Sequence, residues 1–352
     1  MEISTVIMVA GFLLAAYSVV GNDVIQTLGT FLSSNEKKPW YVLWGFASII
    51  LIAVLIYGYL DPKDLYDYGI AYGRLDKFTI PTHLEWYYLL PPLVLLVVTR
   101  MGIPVSTTFL ILTLFSLSSI EGNSIGEIVS KVVDMDSKLG QMIKKSLMGY
   151  ALAFAAAFAL YIFFVDLLEK RFIKNPIKHV KWWTAAQWFS TGWLWWQWLT
   201  QDLANIYIYL LGKGELSVLH FGLSVLALVL LLGFIFYKKG GAVQQIVKRK
   251  TNTVDIRSAT FVDLSYGMIL YIFKYDSILG LNYNFPWTGK LPMSTTWVFI
   301  GLLAGRELAI RLRLEGRIEK SVFKDVGKDF GKVMFGLIVS VVLVIIIKLL
   351  GG

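Results

Sequence analysis

Three long apolar runs, Leu216–Tyr237, Ser146–Leu168 and Val333–Leu350, constrain this chain more than anything else in it. Each reaches or approaches the ~20 residues that carry a helix across the hydrocarbon core of a bilayer. Charge elsewhere does not rescue a soluble alternative: only 16% of the 352 residues are charged, against 56% hydrophobic. The chain therefore reads as an all-α integral membrane protein. Its opening stretch, MEISTVIMVAGFLLAAYSVV, lacks a basic start and a small-residue cleavage site, and is expected to be a first span. The 12 Trp and 18 Tyr suit a protein with two membrane interfaces. The net charge of +9 requires no nucleic acid, because basic cytoplasmic loops beside anionic lipid give the same excess. With no cysteine, disulfides, thiolate catalysis and thiolate metal sites are excluded.

Apolar segments lie near 4–20, 41–59, 86–99, 104–118 and 147–165, and again near 182–199, 216–237, 258–274, 292–305 and 333–350. Between the two sets of five sits the basic linker EKRFIKNPIKHVK (169–181), which divides the chain into halves at 1–168 and 182–352. Lys170, Arg171, Lys174, Lys178 and Lys181 mark that linker as cytoplasmic. Loops 238–257 and 306–332 carry further cations and fall on the same side, as do Lys37, Lys38 and Arg100. Both termini are then expected outside, in a multi-pass protein of the cytoplasmic (inner) membrane. An odd number of segments in each half makes any internal repeat an inverted one, an arrangement that recurs in secondary transporters. Short segments such as 104–118 are candidates for re-entrant hairpins or broken helices at the midplane.

Polar motifs repeat in the same order. GNDVIQTLGTF (21–31) follows the first segment of one half, and TQDLANIYIYL (200–210) follows that of the other, with Asp23 and Asp202 179 positions apart. After the third segment of each half come MGIPVSTTF and TGKLPMSTTW, with Ser106 and Ser294 188 positions apart. Amphipathic stretches at 125–145 and 308–328 then follow both.

These residue types suit ions. An Asp inside a bilayer faces water, a partner or a cation, and no basic residue adjoins Asp23 or Asp202. Amides do: Asn22 and Gln26 beside the first, Gln201 and Asn205 beside the second. Carboxylate and amide oxygens are hard ligands fit for Na⁺, and residues three apart share a helix face. A Pro opening a helix, followed by hydroxyl residues, leaves N–H and O–H donors at a positive helix end. Ser106, Thr107, Thr108, Ser294, Thr295 and Thr296 could thus surround a tetrahedral oxyanion from two sides. No Lys or Arg lies within three residues after either proline, so neutral donors are expected to bind it. The plainer alternatives are Asp at a segment end as a cap, and Ser/Thr bonding back to the i−4 carbonyl. His83, His179 and His220 are scattered, His220 at the start of a span, and no nucleophile–base set suggests an enzyme.

The motifs resemble those of the inorganic phosphate transporter (PiT) family, whose two inverted repeats each carry Gly-x-Asn-Asp-x-x-Asn and Pro-Val-Ser-Thr-Thr-His. The matching residues are Asn22-Asp23, Asp202-Leu-Ala-Asn205, Pro104-Val-Ser-Thr-Thr108 and Pro292-Met-Ser-Thr-Thr296. Val20 and Leu199 stand at the family's glycine, Gln26 and Gln201 at two of its asparagines, and Phe109 and Trp297 at its histidine. The resemblance implies phosphate at the Ser-Thr-Thr groups, Na⁺ at the Asp–amide groups, and alternating access by rocking of the halves. The expectation is sodium-coupled phosphate symport, with no cofactor beyond Na⁺ as coupling ion and with a homodimer as an allowed assembly. Sulfate or another oxyanion, coupled to Na⁺ or H⁺, is the rival; an intramembrane enzyme on phosphorylated lipid and a non-transporting receptor are the remaining ones.

Overall fold

The computed structural model describes residues 2–60, 69–101, 103, 105–117, 125–164, 175–214, 216–238, 255–274, 277–278, 281–282, 291–315 and 320–349. Pro104 and the loop cations Lys170, Arg171, Lys174, Lys239, Lys248, Arg249 and Lys250 lie outside these residues. The helices are α1 (Ile3–Ser34), α2 (Trp40–Leu60), α3 (Leu90–Arg100), α4 (Thr107–Leu117), α5 (Ile125–Val133) and α6 (Lys138–Phe164). They continue with α7 (Val180–Asp202), α8 (Ala204–Tyr207), α9 (Val218–Tyr237), α10 (Ile256–Lys274), α11 (Thr295–Glu315) and α12 (Lys320–Leu349). Among the described residues, extended pairing is confined to Ser277–Ile278 against Leu281–Asn282.

Among the described residues, five helical stretches are long and apolar enough to cross a membrane: Ile3–Val24, Trp40–Leu60, Lys138–Phe163, Val218–Tyr237 and Val322–Leu349. The chain is an all-helical membrane-embedded protein. On α9 the lipid-facing stripe can be read directly, since Leu219, Leu223, Leu226, Leu230 and Phe234 are exposed. Phe221, Ser224, Leu228, Leu232 and Ile235 of the same helix are buried, as the 3.6-residue period requires. The other apolar segments behave differently. Helices α3 and α4 have eleven residues each and rise about 16 Å, half a bilayer core. Helices α7, α10 and α11 are long, but they carry buried polar groups such as Gln187, Asp263 and Arg306.

Helix α6 packs along α11, α7 along α10, α1 along α3, α2 along α9, and α4 along α12; α2 also meets α7, and α1 meets α9 and α7. The α6–α11 contact is close because Gly301 and Gly305 face backbone. A Cβ at Gly301 would stand 2.4 Å from the Tyr150 carbonyl oxygen, and one at Gly305 2.1 Å from that of Phe154. The Gly-x-x-x-Gly spacing lets two helix backbones approach where lipid supplies no hydrophobic drive between them.

Several sequence expectations change here. The polar stretch 21–31 does not follow the first segment as a break: α1 runs through it without interruption. Thr27 and Ser33 bond back to the carbonyls of Asp23 and Gly29, each at 2.9 Å, so these hydroxyls are satisfied within the helix. The second copy does break, at Leu203 between α7 and α8. The stretches 125–145 and 308–328 have similar described helices, Ile125–Val133 followed by a helix from Lys138 in the first, and helix to Glu315 followed by a helix from Lys320 in the second.

Two cations counted as solvated loop residues are buried. Arg257 begins α10, pairing with Asp255 at 2.7 Å. Burial pushes the Asp255 carboxyl up, but its bonds from Arg257 outweigh this and hold it below its ordinary value. Arg306 lies inside α11 with its guanidinium 5.1 Å from the Tyr161 ring. Tryptophan is also not confined to interfaces: Trp195, Trp198 and Trp297 are among the largest fully buried side chains. Trp195 and Trp198 stack at 4.9 Å, and Trp195 donates to the Ala47 carbonyl at 3.0 Å. His220 is exposed at the start of α9, where Ser217 caps its N–H, as an interfacial residue would be.

Replacing Gly305 with leucine forces α6 and α11 apart. Gly305→Leu is expected to lose about 1–3 kcal/mol or more, seen as a lower thermal midpoint in detergent, whereas Gly222→Leu on α9, where a Cβ meets nothing within 4 Å, should leave it unchanged.

Candidate functional site

All twelve residues singled out by the repeated motifs are buried: Asn22, Asp23, Gln26, Gln201, Asp202 and Asn205, with Ser106, Thr107, Thr108, Ser294, Thr295 and Thr296. Helices α1 and α7 supply the carboxylates, and the first turns of α4 and α11 supply the hydroxyls. Thr107 donates to Asp23 Oδ2 at 2.6 Å and Thr108 to Asp202 Oδ1 at 3.2 Å. Asn205 Nδ2 donates to Asp202 Oδ1 at 2.8 Å, and also reaches the hydroxyls of Thr107 and Thr108, each at 3.2 Å. Thr295, in the first turn of α11, lies beside Asp202 on the opposite side of the cluster. Val105 joins both sides through its carbonyl, which accepts from Asn22 at 2.8 Å and from Thr296 at 3.2 Å. Four motifs whose members lie as much as 274 positions apart in the chain, from Asn22 to Thr296, thus form one polar cluster.

The serines do something other than expected. Ser106 accepts the Phe109 N–H at 3.1 Å, and Ser294 accepts the Trp297 N–H at 3.3 Å. Each serine is therefore the N-cap of its helix, bonding the third N–H of the first turn, so that donor is not free for a ligand. Ser294's own N–H is held by Ser146 Oγ at 2.9 Å. The threonines are left as the donors that face the carboxylates. Gln26 is buried, but no hydrogen bond ties it to Asp23, and its Nε2 has no partner.

Among the twelve motif residues, four buried oxygens accept nothing: Asn22 Oδ1, Gln201 Oε1, Asp202 Oδ2 and Asn205 Oδ1. A buried acceptor without a donor is costly and rare. Oxygens of this kind, two of them beside Asp202, are what a hard monovalent cation coordinates. Among the described residues, no group of three His, Cys, Asp or Glu side chains could hold a metal ion.

Sequence reasoning missed two further groups. Arg74 and Lys145 are buried, and both donate to the Leu291 carbonyl, at 3.3 and 3.0 Å. That carbonyl lies three residues ahead of Ser294. Both cations come from segments remote in the chain, so their approach to the N-terminal side of this motif could not be read from the motif itself. The other group centres on Asp263 of α10. Thr30 and Thr191 donate to its two oxygens, the latter at 2.5 Å, and Gln187 donates to Thr191 at 2.9 Å. Asn35 completes the chain by donating to Gln187 at 3.0 Å. The aromatic residues that follow the triplets, Phe109 and Trp297, meet edge-to-face at 5.6 Å. Compared with family models, with curated proteins and with solved structures, the chain matches none.

Asn205→Leu removes the amide that links Asp202 to both threonines. Leaving that buried carboxylate short of a donor should cost about 1–3 kcal/mol, read as a lowered melting temperature. Thr113→Val, at a 3.5 Å contact with Ser340, should cost markedly less in the same measurement.

Proposed function

We propose that the protein is a secondary active transporter that carries inorganic phosphate in symport with Na⁺. The observation that carries this reading is the convergence just described: both Asp–amide elements and both Ser-Thr-Thr elements meet in a single buried cluster. Carboxylates that repel one another across such a cluster, with Asp202 acting on Asp23, favour a cation between them. The arrangement also suggests how the two ions are coupled. A threonine hydroxyl has one proton, and here Thr107 and Thr108 give theirs to Asp23 and Asp202. A cation taking over those carboxylates frees the hydroxyls to donate to an oxyanion instead. Anion binding without the cation would strand two buried charges, so each ion favours the other.

Two corresponding halves are supported by the packing. Exchanging the halves turns the α1–α3 contact into α7–α10, α4–α12 into α11–α6, and α2–α7 into α9–α1; the α2–α9 and α1–α7 contacts map onto themselves. With an odd number of segments per half, such a repeat is inverted, with access alternating as the halves rock. The charge distribution of the loops orients the chain with both termini outside the cytoplasmic membrane. Sulfate is the second reading, because it shares the tetrahedral oxygens and size of phosphate, and neutral hydroxyl donors of this kind do not distinguish the two.

Purified protein in proteoliposomes tests both. Labelled phosphate or sulfate should accumulate under an imposed Na⁺ gradient and not without one. Thr295→Val should reduce uptake at least tenfold, and Asp202→Asn should abolish its dependence on Na⁺. If neither anion moves nor competes for binding, the reading is wrong; a proton gradient that replaces the Na⁺ gradient would change only the coupling ion.

A further inference from the structure

Asp263 of α10 is fully buried away from the central cluster, and nothing in the function proposed above uses it. Thr30, which bonds one of its oxygens, stands seven residues beyond Asp23 on α1, a rise of about 10 Å. Thr191, which bonds the other at 2.5 Å, stands eleven residues before Asp202 on α7, a rise of about 16 Å. The group therefore sits toward the end of α1 that leads to Lys37 and Lys38, and the end of α7 that carries Lys181. By the loop charges, that is the side expected in the cytoplasm.

An ionised carboxyl in such surroundings needs a counter-charge, and among the described residues none supplies it. The groups that act on Asp263 are Thr191, Thr30 and Gln187, all neutral. Helices α7, α1, α11 and α6 pack against α10, and their buried charged groups are engaged elsewhere. Asp23 and Asp202 belong to the central cluster, Lys145 donates to the Leu291 carbonyl, and Arg306 reaches Ser258 at 3.4 Å and the Tyr161 ring. On α10 itself Arg257 pairs with Asp255, Tyr266 donates to the Thr295 carbonyl and Lys274 to that of Tyr72.

A metal cation does not answer the deficit. The central cluster has buried oxygens that accept nothing, whereas around Asp263 every side-chain oxygen is in use. Gln187 Oε1 accepts from Asn35 at 3.0 Å, and Asn35 Oδ1 from Trp188 at 3.2 Å. A proton does fit. Thr191 already accepts from Gln187, so it faces Asp263 as a donor. No described donor holds Thr30 in that way. Its neighbours Thr27 and Ser33 give their protons to the carbonyl four residues back. If Thr30 turns likewise, its oxygen is free to accept an O–H from Asp263 Oδ1.

We propose that Asp263 is a second ion site, specific for a proton. The proton comes from water, bonds Oδ1 and leaves the carboxyl neutral, while Thr30 changes from donor to acceptor. Thr30 and Asp263 belong to opposite halves of the chain. Parting α1 from α10 takes away one of the two donors to the ionised form, so proton uptake and the rocking of the halves favour each other. That link rests on the transporter reading above; the proton site itself does not.

Infrared spectroscopy of the full chain in lipid vesicles, titrated from about pH 9 to about pH 4, reads the proton directly. One component of the protonated-carboxyl carbonyl band should appear as pH falls, vanish in Asp263→Asn, return in Asp263→Glu and ignore added Na⁺. If Asp263→Asn does not fold, Thr30→Val decides: it should displace the pH at which that component appears, and Thr27→Val should not. No such component in the unsubstituted protein, or one that survives Asp263→Asn in full, overturns the proton site and leaves the transporter reading untouched. Anion uptake under a fixed Na⁺ gradient tests the link. The ratio of Asp263→Asn to unsubstituted uptake, in which the titration of phosphate itself cancels, should change at least threefold over the same pH range. A constant ratio overturns the link to rocking. If no anion moves while the infrared component behaves as expected, the transporter reading fails and the proton site stands.

Discussion

Two carboxylates withdrawn from water at one place constrain everything around them. Asp23 and Asp202 repel each other and lie in surroundings where an isolated charge is untenable. Each must be met by side-chain donors, since the backbone N–H groups of its helix are committed to the i−4 ladder. Asn22, beside Asp23 on α1, donates to it at 2.6 Å, and the other donors come from the first turn of α4 and from Asn205, just past the end of α7. Helix α4 therefore begins at this depth, and the non-helical backbone before it is tolerated inside a membrane protein where polar partners surround it.

Helix packing around the cluster meets the same demand by different means. Where α6 and α11 touch, glycines at 301 and 305 bring backbones together. Where α7 and α10 touch, large side chains fill the space and polar ones are tied in pairs, as with Gln201 Nε2 on the Leu270 carbonyl at 3.2 Å. The Tyr266 hydroxyl of α10 reaches past α7 to the Thr295 carbonyl at 3.0 Å, linking the outer helix to the site. Trp195 and Trp198 do not settle at headgroups: they are buried and stacked on each other, and Trp195 is tied to the Ala47 carbonyl of α2.

Much of the cluster was legible in the chain because its members are short, polar and written twice in apolar surroundings. Asp23, Asp202 and the Ser-Thr-Thr triplets stand out for that reason, and the structure brings them together. What could not be read was anything set by tertiary approach. Arg74 and Lys145 lie 217 and 146 positions from the carbonyl they share, with no periodicity to connect them. Asp263 looked like one polar residue in a moderately apolar helix, because Thr30 and Thr191 belong to other segments. The continuity of α1 was hidden by its polar letters: a hydroxyl that bonds its own helix looks the same in sequence as one that breaks it. That the serines cap their helices was hidden for a similar reason, since a cap and a ligand donor are the same residue type at the same place.

Helix α11 is a single 21-residue rod, about 32 Å long. One end of that rod is Thr295 at the cluster, and near the other Arg313 grips the Ile162 carbonyl at 2.9 Å. A rod cannot shift at one end alone, so a small tilt at the threonines becomes a displacement of the arginine end. Helix α11 is thereby a lever between the buried cluster and the far end of α6.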